Sequence, residues 1–438
     1  MSDTKPNKQT NKRTKERGVA LIAVLIAIAI TIVISNEFGT ATTTDISAAA
    51  NYRDNMRAHF LARSAQNIAE LVVRIQGRLD NIKELRGQVQ VTDFADQIAG
   101  VFCGSPEEVR DLVGFSTSDM QGLGGEIGTC GFNGAFATED DKINLNCANN
   151  PAAAAYIQSA LQGLVYFQAY DPVFEEADAE GWRRTREEQV NSIIDYIDRD
   201  STKGVPRAGN NGGTEDYGYE SLRDKYRAKN NYIDTLGEVK LARGVDDRFW
   251  SLFGQAFTVY GGCKVNIAAI SNPQLIAAIL YLSAKNPNDP VIMDPRKLFA
   301  LAGIVAKAKQ FGETFAKLDD FVTFVKDPMA AVTMLAGSGG MQGSAATNAL
   351  STGLMPGEKI GLELDPKKLQ TIATSGPRRT YKVEAYGEIP RKQTDNEGRP
   401  VYPAVRSTIT GVWDTKVFPQ NARKQPVPKG AWVFSRED

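Results

Sequence analysis

Five carboxylates fall within 22 residues of the stretch "IIDYIDRDSTKGVPRAGNNGGTEDYGYESL" (193–222): Asp195, Asp198, Asp200, Glu215 and Asp216. Carboxylates at this density can serve a hard divalent cation, because Ca2+ takes six to eight oxygen ligands from carboxylates, carbonyls and water. The Gly/Asn-rich loop between the two clusters would return Glu215 and Asp216 to a helix that ends near Asp198. The spacing is not that of an EF-hand, and acidic loops are often no more than solvated surface. Asp200, Glu215 and Asp216 are the first candidates for ligands, and Asp198 is the next. Asp195 lies one helical turn before Asp198 and fits a surface position equally well.

Other chemistry has little to work with. The chain has one histidine, His59, flanked by Arg57 and Arg63 on what reads as a solvated helix face. A Ser-His-Asp triad would need that histidine elsewhere, and a multi-histidine zinc site would need more of them. The Gly-rich "GSGGMQG" fits neither a P-loop nor a dinucleotide fingerprint, and no strand pattern precedes it. An enzyme is therefore not expected, although two acidic residues of a hydrolase could still converge in space. Net charge is −1, with six basic and two acidic residues before Val19, so the remainder is near −5. That balance does not suggest a nucleic-acid partner, whose domain is normally strongly basic.

The elements that must position the acidic segment begin with "KERGVALIAVLIAIAITIVISNEF" (15–38). From Val19 to Ile34 every residue is apolar except Thr31, and Ser35, Asn36 and Glu37 end the run. Its length falls between the core of a signal peptide and the roughly 20 residues of a perpendicular membrane helix. The basic flank holds the N-terminus in the cytoplasm and sends the rest across. A small-residue cleavage site is absent at the right distance; the nearest, "SAAA" ending at Ala50, is too far on. Instead "YRDNMRAHFLARSAQNIAELVVRIQGRL" (52–79) continues as an amphipathic helix, with Met56, Phe60, Ala65, Ile68, Leu71, Val72 and Ile75 at helical spacing. One helix from Val19 to Gln76 would be about 87 Å long at 1.5 Å per residue.

The junction "RG/VALIA" resembles a type III prepilin processing site, at which a prepilin peptidase cuts after glycine and the new N-terminus is methylated. The resemblance puts the cut between Gly18 and Val19. Most pilins and pseudopilins carry Glu at the fifth mature position, where this chain has Ala23. That Glu is thought to neutralise a neighbour's buried N-terminal amine, and a subunit with nothing above it has no such charge to pair. The missing Glu resembles the K-type minor pseudopilins of the type II secretion system (the general secretion pathway protein K family). The resemblance extends to the "RAHFLARSAQNIAEL" helix, the acidic segment and the final strands. The acidic segment is similar to that family's D-W-x-D-x-D and G-x-E-D-x-Y stretches, with Tyr196 in place of Trp, and "LGEVKLARGV" is similar to its E-L-x-x-V-x-G.

Two further stretches match each other: "KINLNCANNP" from Lys142 and "KVNIAAISNP" from Lys264. Each ends a short strand, offers Asn150 or Asn272 as N-cap, and places Pro151 or Pro273 in the first helical turn. The second copy resembles the "INxNTA" element of helix-hairpin-helix-like modules, which also occurs in DNA-binding competence proteins. A Gly-hydrophobic-Gly turn for phosphate does not follow it, so a DNA contact is not expected. The four cysteines all follow the apolar run, which in an oxidising compartment suggests two disulfides. Four cysteines allow three connectivities; Cys103–Cys130 and Cys147–Cys263 are the pairing favoured, with free thiols as the alternative.

The expected fold is α+β and pilin-like: a long N-terminal helix packed on an antiparallel sheet, with a large inserted all-helical domain of SAM or helix-hairpin-helix type. The expected divisions are a leader at 1–18, the helix at 19–79 with its membrane part at 19–35, and a first α+β part at 80–150. The helical insertion follows at 151–335, then a Gly/Ser-rich linker at 336–355 and the strands of the α+β domain at 356–438. "RTYKVEAYGEI", "AVRSTITGVWDTKVF" and "GAWVFSRED" alternate with period two, as strands do. By resemblance the protein is held in the inner membrane by a single span, with its bulk in the periplasm. There it would cap and initiate the pseudopilus, binding calcium and meeting the I- and J-type minor pseudopilins, the major pseudopilin and prepilin peptidase. A minor type IV pilin acting in priming or adhesion is the alternative. A membrane-anchored DNA-uptake receptor is a third, disfavoured by the near-neutral helical block.

Overall fold

The N-terminal helix spans Thr10–Leu79 without a break, starting upstream of the expected Val19. The computed structural model describes residues 10–82, 90–103, 128–178, 181–204, 214–215, 218–310, 315–330, 360–390, 403–417 and 430–437. The part of the expected first α+β region between 104 and 127, and the whole 336–355 linker, fall outside these residues. The most apolar window of the long helix is entirely exposed. Thr31, the one polar residue between Val19 and Ile34, donates its hydroxyl to the Ala27 carbonyl at 2.8 Å. That bond satisfies within the helix a group that hydrocarbon would otherwise leave bare.

The helix buries only part of the face its spacing suggests: Ala65, Ile68 and Val72 are buried, together with Leu61 and Val73. Met56, Phe60, Leu71 and Ile75 are exposed, while Ala58, Ala62, Ala65 and Ala69 are fully buried. The cause is the closeness of the sheet. A Cβ on Gly387 would collide with the Ala58 carbonyl and the Ala62 amide, so only small side chains fit at this contact.

Four strands form the main sheet: β1 (Thr129–Phe132), β6 (Thr380–Ile389), β7 (Val405–Asp414) and β8 (Ala431–Glu437), in that spatial order. Strands β7 and β8 are antiparallel, with a bulge between Val412 and Trp413. In β6 the buried Tyr381, Val383 and Ala385 alternate with half-buried Lys382 and Glu384, as the period-two pattern requires.

The described chain divides into two compact units. The first takes the long helix to Ala65, residues 100–131 and 386–408. It holds the Cys103–Cys130 disulfide, with Cα atoms 5.1 Å apart. The second takes residues 66–99, 132–385 and 409–438. In it, Gln66 donates to the Ser435 hydroxyl at 3.2 Å, and the Arg74 guanidinium lies over the Trp413 ring.

Between β1 and β6 the second unit carries the helical block, closed at its neck by Asp140. The Asp140 carboxylate accepts from the Thr380 amide at 3.0 Å, the Thr380 hydroxyl at 2.9 Å and the Arg379 amide. Its carbonyl accepts from the Asn266 amide at 2.8 Å. The block therefore leaves and re-enters the sheet at one hydrogen-bonded point.

The block is built twice on one plan. In the first half β2 (Ile143–Asn144) pairs in parallel with β3 (Phe257–Thr258). In the second half β4 (Val265–Asn266) pairs in parallel with β5 (Ala373–Thr374). Asn144 accepts from the Asn146 amide at 3.0 Å and donates to the Gly261 carbonyl at 3.1 Å. Asn266 does the same with the Ala268 amide and the Gly376 carbonyl, each at 3.1 Å. Asn150 then caps the turn that opens helix Ala154–Val165, and Asn272 caps helix Pro273–Ser283.

The two halves pack through these helices, where Gly163 admits Leu282 and the rings of Tyr166 and Tyr281 stack at 4.0 Å. The second half extends past the expected boundary at 335. Helix Pro366–Ile372 and β5 belong to it, since the Asp365 amide bonds the Ser283 carbonyl and the Leu362 amide bonds the Val325 carbonyl. The Cys147–Cys263 disulfide, with Cα atoms 5.6 Å apart, joins the first joint to the residue before the second.

Candidate cation site

The acidic segment hangs from helix Arg186–Ile197, opened by a capping box of Thr185 and Glu188. The helix ends where Asp198 turns extended. Thr202 then pairs with Thr214 in an antiparallel bridge, and that bridge returns Glu215 to the helix end. Asp195, Asp198 and Glu215 converge, each offering one carboxylate oxygen within 4.8 Å of the others. Asp195 is 0% exposed, and Asp198 and Glu215 are 6% exposed each. Asp195 is thus an interior residue rather than a surface one, missed because a helical turn's spacing fits either reading.

The remaining candidates fall differently. Asp200 is exposed, and its carboxylate accepts from the Thr202 amide at 2.8 Å, shaping the turn rather than entering the group. Asp216 lies outside the described residues. A residue of another type stands at the site. The Asn230 amide N–H donates to the Tyr196 carbonyl at 3.1 Å, and its side chain donates to the Asp200 carbonyl at 2.8 Å.

The electrostatics of the group are unfavourable as it stands. Asp195 accepts from the Gly204 amide at 3.0 and 3.2 Å. No hydrogen bond reaches Asp198 Oδ1 or either oxygen of Glu215. Burial, then the charges of Asp200 and Asp195, push the Asp198 carboxyl up to about 8. Burial, then the charges of Asp198 and Asp195, push Glu215 up to about 8. Buried charges without partners cost several kcal/mol each, and proteins relieve them by protonation, pairing or metal coordination. Three inward carboxylates with three unpartnered oxygens fit a hard divalent cation, and an all-oxygen donor set suits Ca2+ rather than a softer metal.

Two cavities reach the group, one at Glu215 and one at Asp198. One of about 470 Å³ is lined by Glu215, Tyr219, Tyr226 and Asn230, and one of about 560 Å³ by Asn149, Ile157, Ile194, Asp198 and Asp200. A cation, its water ligands and exchange with solvent all have room here.

No family model matches the chain, and no curated protein matches it. Among solved structures, it is similar to the crystal structure of the GspK-GspI-GspJ complex from the enterotoxigenic Escherichia coli type 2 secretion system. The likeness covers 90% of this chain and 99% of that one, with a TM-score of 0.47 and 13% identity.

Proposed function

We propose that this chain is a minor pseudopilin of the K type. In that role it is cut after Gly18, held in the inner membrane by the helix from Val19, and placed at the tip of a type II secretion pseudopilus. The observation that carries the proposal is a single 70-residue helix that leaves its apolar early part bare and lays an alanine face on the sheet domain. Such a helix serves lipid first and a folded body afterwards.

Ala23 supports a terminal position, since a subunit with nothing stacked above it needs no carboxylate for a neighbour's amine. The helical block inserted between β1 and β6 would then be the cap that stops further addition. The role is one of assembly, with no catalytic step. Its partners would be the I- and J-type minor pseudopilins and the major pseudopilin, with prepilin peptidase acting on the leader. The exposed Phe60, Leu71 and Ile75 of the helix give such partners an apolar face to bury. Calcium bound by Asp195, Asp198 and Glu215 would hold the acidic loop against the helix end.

The test is the intact mass and N-terminal peptide of protein purified from its host's membranes. A chain beginning at N-methylated Val19 is expected. A chain beginning at Met1, or cut near Ala50, would refute the assignment.

A further inference from the structure

Asn230 holds a backbone conformation that side chains rarely adopt, with φ at +47°. Asn is among the few residues that tolerate this left-handed region, but strain there persists only where the surroundings enforce it. Here both halves of the residue are pinned to the end of helix Arg186–Ile197, the backbone by Tyr196 and the side-chain NH2 by Asp200. The bond to Asp200 fixes which amide atom remains, and it is an oxygen. That Oδ1 is buried and has no hydrogen-bond partner. Asn230 lines the same cavity as Glu215.

We infer that Asn230 supplies its side-chain oxygen as a neutral fourth ligand to a cation held by Asp195, Asp198 and Glu215. This rests on the cation reading given above. Three carboxylates already outweigh a divalent charge, so a fourth acid would add repulsion, whereas an amide oxygen adds coordination alone. Ca2+ routinely takes such carbonyls to complete six to eight positions. The inference explains two facts together: an unpartnered buried oxygen and a strained backbone beside it.

Calcium titration by calorimetry of the full-length protein in detergent, with melting of the chelator-treated protein alongside, tests it. Asn230→Gly suits the positive φ and removes the oxygen. It is expected to weaken Ca2+ binding by about tenfold or more, a change of roughly 1.4 kcal/mol, with the melting midpoint of the chelated protein at or above wild type. Asn230→Asp keeps an oxygen in place and is expected to bind within a few-fold of wild type. Wild-type affinity in Asn230→Gly overturns the inference, and equal loss in both variants assigns Asn230 to holding the turn instead. Glu215→Gln separates the two levels. If wild type binds and Glu215→Gln does not, the cation reading stands whatever Asn230 does. If wild type takes up no Ca2+, both fall.

Discussion

The two halves of the helical block share a scaffold and differ in what they bury. Each opens with a strand residue that pairs in parallel with the end of its own half. Each uses an asparagine to bridge a nearby amide and a distant glycine carbonyl, and each starts its first helix with Asn-Pro. The first half then hides three carboxylates, of which Asp198 and Glu215 have unpartnered oxygens. Among the described residues the second half has no such group. Its helix Pro295–Gln310 buries Leu298, Leu301, Ala302 and Val305. Its half-buried cation, Lys309, is satisfied by the carbonyls of Ile267 and Ala268, and desolvation pushes its pKa down to about 8. The repeated plan is shared, and among the described residues only one copy gathers buried carboxylates. A scaffold of hydrogen-bonded backbone and apolar packing can be duplicated freely, while a site of buried charge needs a partner wherever it appears.

The strongest challenge to that comparison is to cut the link between the halves. Replacing Cys147 and Cys263 by serine opens a bridge over 116 residues of sequence. It is expected to cost about 2–5 kcal/mol in denaturant melts, and an unchanged midpoint would mean the halves hold together by packing alone.

Removing the cation comes next. Ca2+ at about 100 times its dissociation constant adds roughly 2.7 kcal/mol, so chelation should lower the melting temperature of wild type and leave Glu215→Gln unmoved. The effect should depend on pH. Without metal, Asp198 and Glu215 have folded pKa values near 8, above those of an unfolded chain. The folded state then binds more protons, and metal-free stability falls as pH rises from about 4.5 to about 8. Ca2+ should cancel that fall, making the gap between loaded and chelated protein widest near pH 8. A gap that narrows with rising pH would contradict the buried-carboxylate account.

The matched latches offer a finer comparison. Asn144→Ala and Asn266→Ala each leave half-buried backbone groups unpaired, and each should cost about 1 kcal/mol. Loss in only one would show that the halves are not built alike. The smallest effect belongs to Phe60→Ala, expected within about 0.5 kcal/mol on the isolated protein but weakening pseudopilin co-assembly measured by pull-down.

What the sequence made legible was local. The long helix, the period-two strands and the two Asn-Pro joints follow from hydropathy, alternation and capping, which neighbouring residues decide. The buried face of the helix was legible only in part: Ala65, Ile68 and Val72 are buried as their spacing suggests, but close approach at Gly387 selects Ala58 and Ala62 over the larger Phe60. The end of the helical block was not legible, since helix Pro366–Ile372 joins it only through tertiary contacts with Ser283 and Val325. At the site, the acidic segment announced itself by composition. Burial decided its members, bringing Asp195 in and leaving Asp200 at the turn. Asn230 carried no signal beyond being an asparagine among several.

The most direct test of the account is anomalous diffraction from crystals grown with Ca2+. The account predicts one strong peak about 2.3–2.6 Å from oxygens of Asp195, Asp198 and Glu215, with none at the matching place in the second half. Carboxylates turned outward to solvent, or protonated and bonded to one another with no ion between them, would contradict it.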